Sequence, residues 1–282
     1  MIIVHGSDFH FGPHLVPDAV GAFERLVGSV SPDLLVLSGD FTHRANRLQF
    51  EQAKSFVDRM GLQRVIVTPG NHDVPLYSFW RRALSPYKEF RRAMGVNGEF
   101  AVHSDEFSAA ILDTTSPYLR ITEGRLSRKQ VHFLRSAFQG SVAPLRLVVM
   151  HHPVAKPEDW KYGRSVDPNR DALTAMVDEG VELVLGGHLH RSFAMEASPG
   201  LWVVHSGTTT SSRGRSEERG MQTFNLIRIS DSEFDVEVFS FNARTKEFET
   251  LRRVALPRQQ PSPPIEPANP REREMGKAAS GI

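Results

Sequence analysis

Short runs of β-branched and aliphatic residues punctuate the first two thirds of the chain: Ile2–His5, Leu34–Ser38, Val65–Thr68, Ala109–Leu112, Leu145–Met150 and Leu183–Leu185. Several are continuous apolar stretches of strand length, the pattern of strands covered on both faces. Segments with helical spacing lie between them. Asp18–Val30 places Val20, Phe23, Leu26, Val27 and Val30 on one face, and Leu48–Met60 does the same with Phe50, Ala53, Phe56, Val57 and Met60. Gly61 follows as a helix C-cap. Ser127 is a good N-cap for a helix to Phe138, and Asn169–Val177 is a further helical segment.

Strand–helix alternation predicts an α/β layered domain. The pattern then changes to strands joined by short turns: Phe193–Glu196, Leu201–His205, Met221–Ile229, Phe234–Phe241 and Glu247–Arg253. These read as antiparallel strands finishing a sheet. Residues 257–282 shift to Pro, Gln, Glu, Arg and Ser, too few apolar groups to pack, and predict a disordered tail. No internal repeat is present.

Composition changes this picture little. Lys+Arg number 34 against 33 Asp+Glu, so no overall basic field recruits nucleic acid or a membrane surface. The absence of cysteine excludes disulfides, thiolate metal sites and a cysteine nucleophile. No apolar run reaches the ~20 residues of a membrane helix. The N-terminus reads as a first strand rather than a signal peptide, so a soluble cytoplasmic protein is expected.

Five polar motifs fall at or just after the ends of expected strands: Asp8-Phe9-His10, Gly39-Asp40, Gly70-Asn71-His72-Asp73, His151-His152-Pro153 and Gly187-His188-Leu189-His190. Loops at the carboxyl ends of strands in an α/β sheet share one edge, so the motifs can converge. Asp8, His10, Asp40, Asn71, His151, His188 and His190 offer carboxylate, imidazole and amide groups without sulfur, a set suited to first-row transition metals. Seven donors exceed one tetrahedral zinc site and suit two metals sharing a carboxylate. In Asp8-x-His10 and His188-x-His190, the side chains are two positions apart, which on an extended strand end points both to one face. Glycines 39, 70 and 187 let the backbone turn before each ligand. Taken singly, these motifs also read as turns, caps or buried structural histidines. Their order and placement together make chance a poor explanation.

The ordered set D-x-H, G-D, G-N-H-D, H and G-H-x-H resembles the calcineurin-like metallophosphoesterase superfamily. Ser7-Asp8-Phe9-His10-Phe11-Gly12 and Thr68-Pro69-Gly70-Asn71-His72-Asp73-Val74-Pro75 are similar to bacterial class III cyclic-nucleotide phosphodiesterases. The likeness extends less specifically to Gly207-Thr208 and the closing strands. It implies a single-domain, layered αββα sandwich with mixed sheets over residues 1–256. It also implies two divalent or mixed-valence transition-metal ions, drawn from Mn, Fe, Zn and Co. Asp8, His10 and His190 then match ligands of one metal, and Asn71, His151 and His188 ligands of the other. Asp40 matches the bridging carboxylate, and His72 the non-ligand histidine that contacts the phosphate and assists the leaving group. His151 is preferred to His152 because members without the second histidine keep the first; His152 then lies behind the ligands. Attack by a metal-bridging hydroxide is implied.

One departure stands out. Protein Ser/Thr phosphatases of the superfamily continue the second block as GDxxDRG, whereas Gly39-Asp40-Phe41-Thr42-His43-Arg44-Ala45 puts His43 where the later Asp would orient the leaving-group histidine. That disfavours a protein-phosphatase reading and leaves the orientation of His72 unexplained. Arg44 reads as a solvated surface residue, and Trp80, Arg81 and Arg82 as a helix face or a pocket border. Ser211–Glu218, with Arg213 and Arg215, reads as a plain solvated hairpin in preference to an active-site loop. His5, His14, His103, His132 and His205 read as structural or surface histidines.

The expected activity is hydrolysis of a small phosphodiester, such as a cyclic nucleotide. The alternatives are a phosphomonoesterase, a nuclease, against which the near-neutral charge balance argues, and a non-catalytic protein-binding scaffold, which the complete ligand set disfavours.

Overall fold

The computed structural model describes residues 1–120, 122–160, 166 and 169–258. Among these residues, twelve strands form two six-stranded mixed sheets. The first has the order β12-β11-β10-β1-β2-β3, from Glu247–Pro257 (β12), Glu233–Asn242 (β11), Thr223–Ile229 (β10), Ile2–Gly6 (β1), Leu34–Leu37 (β2) and Val65–Val67 (β3). The second has the order β4-β5-β6-β7-β9-β8, from Phe100–His103 (β4), Ser108–Ile111 (β5), Arg146–Val149 (β6), Leu183–Gly186 (β7), Leu201–His205 (β9) and Phe193–Ser198 (β8). Strands β1, β2 and β3 run parallel to one another, as do β5, β6, β7 and β9.

Period-two alternation explains the layering, because every second side chain points to the opposite face of a strand. Ile3, Leu34, Val36 and Ile66 leave the first sheet to meet Ala109, Ile111, Leu147, Val149, Leu183 and Leu185 of the second, which makes the inter-sheet core. The alternate positions Val4, Leu35, Leu37 and Val67 face the helices Pro17–Val30 (α1), Arg47–Arg59 (α2) and Lys88–Met94 (α4) through Phe23, Phe50, Phe56 and Phe90. The helices Arg128–Ala137 (α5) and Asn169–Asp178 (α6) cover the far side, with Leu134, Ala172 and Met176 against Val148, Val184 and Val203. The outcome is the expected αββα sandwich with mixed sheets. Ser127 caps α5 through Gln130 in a reciprocal capping box, and Gly61 follows α2 at φ +62°.

Two expectations need correction. The closing strands do not finish one sheet: β8 and β9 extend the second, with β9 parallel to β7, while β10–β12 return to the first beside β1. Periodicity reports a strand but not its neighbour, so the split was illegible. The edge strand β4 was not foreseen; it is four residues long and only partly buried. Of the expected tail, Pro257 closes β12 and the guanidinium of Arg258 meets the Glu182 carboxylate at 2.9 Å. Residues 259–282 lie outside the described residues. Among the described residues, no helix is long and apolar enough to cross a membrane.

Candidate metal centre

All five motifs leave the carboxyl ends of parallel strands, from β1, β2 and β3 in one sheet and β6 and β7 in the other. The loops interlock through main-chain bonds: Asp8 N–H donates to Gly39 O at 3.0 Å and His10 N–H to Asp40 O at 2.9 Å. Asp8, His10, Asp40, His188 and His190 all have left-handed backbone, with φ between 49° and 74°. The D-x-H and H-x-H pairs therefore converge by a left-handed turn at each predicted donor, not on the extended strand end that alternation suggested. Such conformations cost of order 1 kcal/mol or more each and concentrate where function fixes the backbone. Of the three motif glycines only Gly39 uses a positive φ, +95°. Gly70 and Gly187 are needed for room, since a Cβ there would collide with Asp40 Oδ1 and with Ser7 Oγ respectively.

The seven predicted donors form two adjoining groups. Asp8, His10, Asp40 and His190 bring ligand atoms to within 4.8 Å of one another. In this group His190 Nε2 lies 3.1 Å from His10 Nε2 and 3.0 Å from Asp8 Oδ1. In the other, Asn71 Oδ1 lies 3.2 Å from His151 Nε2 and 2.8 Å from His188 Nδ1. Asp40 faces both, with Oδ2 3.7 Å from His10 Nε2 and Oδ1 3.4 Å from His151 Nε2. Both carboxylates are buried and half-satisfied. The His188 amide fixes Asp8 Oδ2 and the His72 amide fixes Asp40 Oδ1, each at 2.8 Å. Asp8 Oδ1 and Asp40 Oδ2 have no hydrogen-bond donor.

The far nitrogens of the rings set their tautomers. His151 Nδ1 donates to Ser38 O at 2.7 Å and His190 Nδ1 donates to Arg213 O at 2.9 Å, so in each neutral ring Nε2 presents a lone pair inward. The Nε2 lone pairs of His190 and His151 then face Asp8 Oδ1 at 3.0 Å and Asn71 Oδ1 at 3.2 Å, contacts that a cation or an extra proton makes favourable. Burial presses His10 well below the ordinary imidazole range and His188 down to about 3, which keeps both neutral, the form that binds metals. Burial opposes the charge of Asp8 and Asp40, yet His190 beside Asp8 and His151 beside Asp40 hold both carboxyls below the usual carboxylate range. Burial also opposes an imidazolium at His151, but Asp40 raises it to about 9, so a proton answers that charge. The donor chemistry fits a pair of transition-metal ions.

His72 stands at the edge of the donors, with Nδ1 bonded to His43 O at 3.0 Å. His152 lies behind them, its Nδ1 2.9 Å from Thr114 Oγ1 and its ring centroid 4.5 Å from that of His188. Arg44 is exposed, its guanidinium 4.8 Å from the centroid of the Tyr77 ring. Arg81 and Arg82, on the short helix Phe79–Leu84 (α3), bond main-chain carbonyls such as Ala45 O and Pro75 O, and Trp80 is exposed. His5 and His205 are buried and structural, bonding Ser38 Oγ and Gly187 O.

Two residues that bond into the centre escaped the motif reading. Asp73 accepts from the amides of Phe41, Thr42 and Gly70 and from the Thr42 hydroxyl, pinning the second and third motif loops together. Its place in the G-N-H-D block was the available signal. Arg213 overturns the plain-hairpin reading: its Nη1 reaches His10 Nδ1, His43 Nδ1 and His72 Nε2 at 3.3–3.4 Å. The run Thr208–Ser211 carries its loop into the site, with the Thr208 hydroxyl on Asp8 O at 2.6 Å and the Thr210 hydroxyl on Phe9 O at 2.9 Å. No spacing rule connects that run to the histidines.

A two-sheet sandwich carrying buried Asp, Asn and His donors on its parallel-strand loops defines a metallophosphoesterase-type centre. Residues 1–192 match the calcineurin-like phosphoesterase family, and the chain belongs to it. It is 26% identical over 178 residues to a probable cyclic nucleotide phosphodiesterase of Synechococcus sp., covering 63% of this chain and 65% of that protein. It is 23% identical over 169 residues to another from Ruthia magnifica, covering 58% and 64%. The chain thus spans slightly under two thirds of these relatives. Among solved structures, a purple acid phosphatase of yellow lupin superposes with a TM-score of 0.71 at 11% identity, over 92% of this chain and 54% of that one. A dimetal phosphatase of Danio rerio gives 0.65 at 11% identity, over 92% and 99%. At such identities these structures speak for the fold.

Proposed function

We propose that the chain is a dinuclear metal-dependent phosphodiesterase acting on small phosphodiesters. The observation that carries this reading is the convergence of all seven donors, with undonated Asp8 Oδ1 and Asp40 Oδ2 facing inward-pointing imidazole nitrogens. Asp8, His10 and His190 would hold one metal, Asn71, His151 and His188 the other, and Asp40 would bridge. Bound there, two such ions supply an activated water and neutralise phosphoryl oxygens in the transition state. The chain's own contributions are positional. Ser38 O and Arg213 O orient His151 and His190, and the amides of His72 and His188 lock the two carboxylates. His72, outside the ligand set, would hydrogen-bond the leaving oxygen through Nε2 once that nitrogen is protonated, because Nδ1 is held by the His43 carbonyl. Manganese or iron is the preferred metal type, and the cytoplasm the proposed compartment.

The relatives named probable cyclic nucleotide phosphodiesterases support a diester over a monoester. So does His43 in place of the acid found in protein phosphatases. The test is a substrate panel with added Mn²⁺, comparing kcat/KM for bis-p-nitrophenyl phosphate with p-nitrophenyl phosphate, and cyclic AMP with AMP. Faster turnover of the diesters is expected. Faster turnover of both monoesters makes the chain a phosphomonoesterase, and no turnover of any ester by protein holding two metals overturns the hydrolase reading.

A further inference from the structure

Arg213 is a half-buried cation that no carboxylate ion-pairs among the described residues. Its immediate partners are three imidazole nitrogens around one guanidinium nitrogen, His43 Nδ1 at 3.3 Å and His10 Nδ1 and His72 Nε2 at 3.4 Å. Nη1 carries two hydrogens and cannot serve three acceptors. All three distances also exceed the range of good N–H···O bonds, so each contact is weak and exchangeable. A His10 that offers Nε2 to a metal carries its proton on Nδ1 and can no longer accept from Arg213. The guanidinium is then left between His43 and His72.

The loop fixes where this cation stands. Arg213 O holds His190 Nδ1, and the Arg215 amide donates to His190 O at 2.9 Å. Ser211 bridges to Leu15, and the Ser212 amide donates to His14 O at 2.9 Å. At Gly214 any Cβ would strike Glu218 O. Glu218 is itself buried and anchored to Ser192, Thr223 and Arg252. A cation so placed, short of strong partners and beside the histidine assigned to the leaving group, lacks an oxyanion.

We propose that Arg213 is a substrate-binding residue that clamps a phosphoryl oxygen beside His72. The proposal rests on the hydrolase reading for the identity of its ligand. A phosphate oxygen forms a charge-assisted bond of about 2.7–2.9 Å, short enough to displace the imidazole contacts. The guanidinium fork also suits two oxygens at once, which an ammonium cannot match.

The test uses Mn²⁺-loaded full chain and inorganic phosphate as the probe, with affinity measured by calorimetry and metal content by elemental analysis. Arg213→Ala should weaken phosphate binding by roughly 10- to 100-fold, the scale of a lost charged hydrogen bond, while keeping both metals. Arg213→Lys should recover part of that loss, and Arg219→Ala, at an exposed position, should match the unaltered chain. Phosphate affinity within twofold of the unaltered chain in Arg213→Ala overturns the clamp. Loss of metal in both Arg213 variants also overturns it, because the role is then structural. If phosphate binds through Arg213 but no ester is hydrolysed, the clamp stands and the hydrolase reading fails. If the Mn²⁺-loaded chain does not bind phosphate, both fall.

Discussion

The imidazole of His72 is oriented by the main-chain carbonyl of His43, 3.0 Å from Nδ1. A carbonyl only accepts, so Nδ1 carries the proton and Nε2 faces the centre. The orientation that an acidic side chain provides in the GDxxDRG pattern comes here from backbone. The single hydrogen of the Thr42 hydroxyl is shared between His72 O at 3.0 Å and Asp73 Oδ1 at 3.1 Å, so the two loops hold one another.

This relationship separates two substitutions. His72→Ala should retain both metals and lose roughly 10²–10⁴ in kcat, the usual worth of a positioned acid–base group; to donate to the leaving oxygen, Nε2 must first take up a second proton. His43→Ala keeps its carbonyl, so His72 keeps its orientation and the loss should stay within about tenfold, well below the general acid–base range. Elemental analysis alongside steady-state kinetics checks both. Metal loss in His72→Ala would make His72 a ligand and the assignment wrong.

Metal stoichiometry tests the division of the donors. Asp40 faces His10 with one oxygen and His151 with the other, so Asp40→Ala should empty both positions and abolish activity. His151→Ala should lose one metal. His152→Ala should be milder, since its ring packs on Thr114 and His188 from behind. If His152→Ala loses metal and His151→Ala does not, the two histidines exchange roles.

The convergence of the seven predicted donors was legible because each motif pairs a strand end with unusual polar residues, and the strands at Ile2, Leu34, Val65, Arg146 and Leu183 are short and mostly apolar. Their backbone was not legible: left-handed φ at Asp8, His10 and Asp40 is imposed by interlocked loops, not by local preference. Arg213 was hidden for a related reason. Its loop, between His205 and Thr223, is polar and without period, and only the return of β10 beside β1 brings it over the histidines. Local pattern specifies an element, whereas the pairing of β1 with β10 joins segments more than 200 residues apart.

Asp73 offers a stability test that also reaches the site. Both of its oxygens accept amide protons, from Thr42 on one side and from Phe41 and Gly70 on the other. Burial and the nearby Asp40 push its carboxyl up to about 7, although those amides pull the other way. Asp73→Ala leaves three buried N–H groups unpaired and should cost about 3–5 kcal/mol, on the scale of about 1–3 kcal/mol for each orphaned donor. Asp73→Asn keeps one acceptor oxygen and should fall between. Urea unfolding measures the loss, and Mn²⁺ affinity should fall in parallel because both motif loops depend on Asp73. An unchanged unfolding midpoint in Asp73→Ala would falsify this role.

Asp113 lies just beyond β5, away from the metal donors, and burial pushes its carboxyl up to about 6 from an ordinary 3.8. The Thr115 amide and hydroxyl, both bonded to Oδ1, pull in the opposite direction without prevailing. The folded chain therefore holds a proton between pH 3.8 and about 6 that the unfolded chain has released. Linkage gives the sign: stability is greatest below the unfolded value, declines as pH rises through that window, and stays low above it. Asp113→Asn keeps the Oδ1 acceptor for Thr115 but never ionises. The variant should exceed the parent in stability at pH 8 by roughly 1–3 kcal/mol, since each pKa unit is worth about 1.4 kcal/mol. The advantage should vanish near pH 4, where the parent carboxyl is protonated. Chemical unfolding of both chains at pH 4, 6 and 8 measures the difference. An advantage that is constant across pH would assign the effect to packing instead, and a less stable variant at pH 8 would show that the ionised carboxylate is adequately solvated.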